Sequence, residues 1–161
     1  MDRPGGLPHS RGITLIELLV VLSIIGIISA VAFPSFTAGL DGVRLASSTQ
    51  SVASFLNSAV NRVERLQQPV EVAISTRDST LTLYTNQPGF TRELKMPAGI
   101  SIEAVLPAIP GDNEPVRRIV IVPGGAVPGI GIRLASSRGA RRIVRLDPMT
   151  GFPRVESVIT E

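Results

Sequence analysis

The sequence predicts an α+β protein in which one long N-terminal helix packs on an antiparallel β-sheet domain. Three observations carry this. An almost unbroken apolar run occupies residues 13–33, helical periodicity continues from there to Pro69, and the period changes to two beyond it. At 161 residues the chain has room for one ordinary core.

Residues 13–33 read ITLIELLVVLSIIGIISAVAF and hold a single charge, Glu17. A helix of that length spans roughly 31 Å, about the thickness of a bilayer core. Its apolar residues lie all round the helix, as a membrane span requires and a core helix does not. The run is also longer than the apolar region of a cleaved secretory signal. Arg3 and Arg11 against Asp2 leave the preceding segment slightly positive. Positive flanks stay in the cytoplasm, so the expectation is a single pass with the N-terminus cytoplasmic and the rest beyond the inner membrane. A carboxylate inside such a span costs a few kcal/mol, about 2.5–3.5 on insertion scales, and marks Glu17 as a candidate functional residue.

Past Pro34, apolar residues recur at three- and four-residue spacing: Phe36, Leu40, Val43, Val52, Phe55, Leu56, Ala59, Val60, Val63 and Leu66. Asp41, Arg44, Ser48, Asn57, Arg62 and Glu64 take the other face. This amphipathic second half, residues 35–68, ends at Gln67-Gln68-Pro69, because proline cannot continue a helix. Pro34 is expected to kink or locally melt the helix, and Gly26, Gly39 and Gly42 to weaken it.

The remainder, residues 69–161, is expected to be a β domain. Strands are predicted over 70–75, 80–84, 91–95, 100–106, 117–122, 129–135, 141–146 and 154–159, from β-branched content and lengths. Gly, Pro, Asn and Asp fill the breaks between them. Residues 106–116 are expected to form the most mobile loop.

Composition excludes several chemistries. Without cysteine there is no disulfide scaffold, Cys-ligated zinc or Cys nucleophile. His9 is the one histidine, so a Ser-His-Asp triad or multi-His metal site in the body of the chain is excluded. Serine–lysine chemistry would rest on Lys95 alone, and no enzyme activity or cofactor is expected. The pI near 10.5 accompanies a net charge of only +3, because fifteen of sixteen cations are arginine. Eight arginines (117, 118, 133, 138, 141, 142, 145 and 154) fall between residues 117 and 154, against one acid, Asp147. Arg138, Arg141, Arg142, Arg145 and Arg154 are candidate contacts for DNA or an acidic partner. The alternative is a solvated strand face, and the absence of Trp with a single Tyr argues against base stacking.

Gly12 followed by ITLIELLVVL resembles the class III signal of type IV pilins and type II secretion pseudopilins. The resemblance implies that a prepilin peptidase cuts after Gly12 and N-methylates Ile13, leaving residues 1–12 as a cytoplasmic leader. Glu17, Gly26 and Pro34 then fall at the family's conserved Glu and helix-weakening Gly and Pro. Ile13 departs from the family's usual Phe. The new amine at Ile13 would need a partner in an apolar setting, and Glu17 of the same or a neighbouring chain supplies one. A looser likeness covers roughly the last forty residues. Ile119-Val120-Ile121-Val122-Pro123-Gly124-Gly125, Gly131-Ile132-Arg133-Leu134, Arg142-Ile143-Val144-Arg145-Leu146 and Thr150-Gly151-Phe152-Pro153 resemble the GspH/FimT family. Asp112 and Glu114 alone are thin for the calcium loop of a major pseudopilin. The resemblance implies a minor pseudopilin near a filament tip. Its partners would be other pilins or pseudopilins, the prepilin peptidase and an inner-membrane assembly platform. The alternative it implies is a FimT-like minor pilin that binds DNA through the arginine-rich region.

Overall fold

The computed structural model describes residues 14–85, 90–109 and 114–157, except for the side chains of residues 31 and 33–38. It contains one helix, α1 (Leu15–Leu66), followed by eight strands. These are β1 (Val70–Ser75), β2 (Thr80–Thr85), β3 (Thr91–Lys95), β4 (Ile100–Leu106), β5 (Val116–Ile121), β6 (Gly131–Ser136), β7 (Arg141–Leu146) and β8 (Pro153–Ser157). Every predicted strand is present within two residues at each described end; residues 158 and 159 of the last one lie outside the described residues.

The chain divides into two compact units, residues 1–38 and 39–161. In the first, α1 starts on Thr14, whose hydroxyl accepts the Glu17 backbone N–H at 3.3 Å while its carbonyl accepts that of Leu18. Thr14-x-x-Glu17 has the spacing of a capping box, with the acid in the positively polarised first turn. Every large apolar side chain described between Leu15 and Ile28 is exposed. Among the described residues no stretch of helix is long and apolar enough to cross a membrane. The described apolar side chains run from Leu15 to Ala30, a length of about 24 Å.

α1 is continuous through Gly26, Pro34, Gly39 and Gly42, so the local melting expected at Pro34 does not occur. A proline removes one N–H and displaces one carbonyl, and the hydrogen bonds on either side can keep the helix going.

In the second unit, α1 ends where expected. Gln67 adopts the left-handed conformation (φ 51°), its N–H reaches the Val63 carbonyl, and its side-chain amide donates to the Glu64 carbonyl at 2.8 Å. These bonds satisfy carbonyls that the helix end leaves open. The strands form two antiparallel four-stranded sheets and not one: β3-β2-β1-β5 and β4-β6-β7-β8. One apolar cluster joins both sheets to α1. Val52, Phe55, Leu56, Ala59 and Val63 of the helix share it with Val72, Ile74, Leu81 and Ile121 of the first sheet and Ile102, Ile132, Leu134, Val144 and Leu146 of the second. Two arginine–ring contacts clasp α1 to the β3 edge. Arg62 lies 3.5 Å from the Phe90 ring centre, and Arg92 lies 5.8 Å from that of Phe55. Part of the predicted loop at 106–116, residues 110–113, lies outside the described residues, as does the predicted turn at 86–89.

Candidate functional site: the N-terminal motif and the arginine face

Gly12 and Ile13 lie outside the described residues. Glu17 sits in the first turn of α1, exposed, its backbone N–H on Thr14. Gly26 faces open space, where an added Cβ would meet nothing within 4 Å. Pro34 lies within α1. Thr14 is the residue that sequence reasoning missed: its hydroxyl caps the helix by accepting the Glu17 backbone N–H.

The arginine-rich stretch is not a bare basic patch. Arg118 Nη1 lies 2.8 Å from Glu71, a contact that raises the guanidinium pKa above its ordinary value, first by the hydrogen bond and then by the charge. Arg138, at the tip of the β6–β7 hairpin, places Nε 2.8 Å from Asp41 of α1. Gly139, with φ +85°, makes that turn possible. Arg141 Nε lies 3.0 and 2.9 Å from the two Glu103 oxygens, and Arg133 Nε lies 4.0 Å from the same carboxylate. Register explains the convergence. The β4–β6 pairing shifts between Ile102 and Ala104, so Glu103 is the extra residue of a bulge; it stays on the solvent side, and the alternation of the strand shifts after it to bury Val105.

Arg145 and Arg154 sit directly opposite across β7 and β8, a repulsive placement relieved by Glu156 at 3.4 Å and Asp147 at 3.2 Å respectively. Asp147 also accepts the Met149 and Thr150 backbone N–H groups, at 2.9 and 3.3 Å. Those bonds, then Arg154, hold its carboxyl below the ordinary value. Arg117 Nη1 donates to the Pro107 carbonyl at 2.6 Å, and Arg142 shares the β7 face of buried Val144 and Leu146. The five arginines singled out as a binding set are thus divided between two faces of the second sheet and a hairpin tip. Asp41, Glu71, Glu103 and Glu156, all outside the counted stretch, pair with five of the eight: Arg118, Arg133, Arg138, Arg141 and Arg145. No group of three or more acidic or histidine residues suited to a metal ion occurs among the described residues.

The prokaryotic N-terminal methylation motif matches residues 7–33. That motif leads directly into a long helix whose second half packs on antiparallel strands. The N-terminal segment of the chain is thus of the prokaryotic methylation-motif type. Among curated proteins none matches it. Among solved structures, it is similar to the type IV minor pilin FimU of Pseudomonas aeruginosa strain PAO1, at 10% identity and a TM-score of 0.49. That similarity covers 71% of this chain and 88% of FimU.

Proposed function

We propose that this pilin-like chain is a structural subunit, a minor pseudopilin of the GspH kind that assembles near the tip of a type II secretion pseudopilus. The observation that carries the reading is the methylation motif running straight into a helix whose described large apolar side chains from Leu15 to Ile28 are all exposed. Such a surface requires an apolar cover from outside the chain. Lipid supplies it while the subunit is stored as a single-pass protein of the inner membrane, with the leader cytoplasmic and residues beyond the anchor periplasmic. Neighbouring helices supply it after assembly.

In this account a prepilin peptidase cuts between Gly12 and Ile13 and methylates Ile13. Glu17 pairs with the resulting amine, within the chain or across subunits, and fixes the axial register of stacked helices. No catalysis by the chain is needed. The acid pairing of the arginine face favours this reading over DNA uptake, because phosphates would have to displace carboxylates already in place.

The test is Glu17→Ala in cells that assemble the filament. The variant is expected to be processed yet missing from the sheared filament fraction. Assembly at the wild-type level would remove Glu17 from the account. A mobility shift with duplex DNA at low salt that matches a known DNA-binding pilin would move the chain to the alternative class.

A further inference from the structure

The first sheet ends on β3, whose outer edge pairs with no strand among the described residues. Its register with β2 shows which backbone groups that edge presents. The Met96 N–H donates to the Ser79 carbonyl at 3.0 Å, one step beyond the Thr80–Lys95 pairing. Hydrogen-bonded and non-bonded positions alternate in an antiparallel ladder, so Leu94 and Arg92 also bond to β2. The N–H and C=O groups of Thr91, Glu93 and Lys95 therefore point out of the sheet. The opposite edge differs. On β5, Arg117 Nη1 donates to the Val105 and Pro107 carbonyls, at 3.4 and 2.6 Å, and bridges that strand to β4.

A trough of about 440 Å³ lies between the open β3 edge and α1. Ser47, Ser51 and Ser54 line it from the helix, and Phe55 and Leu94 supply its apolar part. Phe90 meets Arg62, and Arg92 meets Ser58 and Phe55. These contacts fix β3 against α1, so the trough is preformed. On the outer face of the strand, Glu93 and Lys95 are exposed and stand opposite Thr82 and Thr80. Neither makes an ion pair among the described residues. Charges on an edge strand commonly guard it against pairing. Here two unlike charges admit a complementary strand and repel others.

We propose that β3 accepts an added strand: an extended segment of a different protein, laid in the trough and bonded to the outward groups of Thr91, Glu93 and Lys95. A second extended backbone matches the two-residue spacing of donors and acceptors along that edge. Charge complementarity sets the chemistry of the segment. It carries a basic side chain opposite Glu93 and an acidic one opposite Lys95, with an apolar side chain between them turned toward Phe55 and Leu94. The inference goes beyond the structural role of the subunit and does not depend on processing at Gly12.

The test titrates the full chain in detergent micelles with short fluorescent peptides in which valine alternates with charged residues. Peptides with one lysine and one glutamate, in either order, are compared with lysine-only and glutamate-only versions. The better mixed peptide is expected to bind severalfold more tightly than both like-charged ones, and Glu93→Lys to move the preference to the glutamate-only peptide. N-methylation of the amides along one edge of the peptide should abolish binding, and along the other edge leave it unchanged. Amide exchange at Thr91, Glu93 and Lys95 should slow severalfold in the complex. Glu93→Pro removes an outward N–H and spares the ladder with β2, so it should lose the peptide while keeping the wild-type circular dichroism spectrum. No binding, equal binding of all the peptides, or N-methylation that acts alike on both edges overturns the proposal. So does protection of the three amides that rises with protein concentration alone, which would mean that copies pair edge to edge.

Discussion

Replacing Glu103 with glutamine tests whether the arginine face is held by its carboxylates. Glu103 is one-third exposed and lies within 3.0 Å of Arg141 Nε through both oxygens, with Arg133 at 4.0 Å. A partly exposed, charge-assisted contact of this kind contributes about 1 kcal/mol, and the longer one a few tenths at most. Glutamine keeps the size and one neutral acceptor, so Glu103→Gln should cost about 1 kcal/mol and lower Tm by about 4 °C. Far-UV circular dichroism of the chain in micelles, followed through a urea series, reads the change as a shift in midpoint at constant slope. A double-mutant cycle with Arg141→Gln should return a coupling of about 0.5 kcal/mol or more. The variant should also bind a polyanion at low salt more strongly than the wild type, since two guanidinium groups lose their counter-charge. Unchanged stability with zero coupling to Arg141 would refute the reasoning and restore the picture of a basic surface open to ligands.

Two further outcomes follow from the same structure. Leu56 is fully buried where α1 meets the strands, so Leu56→Ala should destabilise by about 2–5 kcal/mol in urea unfolding. Asp147 has its folded pKa below the ordinary carboxylate value, so the stabilisation of its turn is complete above the unfolded pKa of about 3.9 and is lost as pH falls through the lower folded value. The amide resonances of Met149 and Thr150 should therefore stay constant above that pH and move only below it. In Asp147→Asn they should show no such transition.

Local pattern made most of the secondary structure legible. Period-two runs and Gly/Pro breaks placed all eight strands, because each strand carries its own burial alternation: β4 has Ile100 and Ile102 inward, β7 has Val144 and Leu146 inward. What the pattern could not carry was partnership. Arg118 finds Glu71 across forty-seven positions, and Arg141 finds Glu103 across thirty-eight. A count over residues 117–154 therefore shows a basic stretch where the folded chain has ion pairs. The split into two sheets escapes for the same reason, since β5 joins β1 and β4 joins β6 through pairings with no local signal. At Pro34 the helix continues without the local melting that a residue rule allows. At the N-terminus the motif was fully legible, and the structure adds Thr14 as the cap that sets the geometry around Glu17.

The most direct test is the intact mass and N-terminal sequence of the protein purified from cells that contain a prepilin peptidase. The account predicts a chain that begins at Ile13 with a methylated α-amine. A chain that keeps residues 1–12, or begins at any other residue, would contradict it.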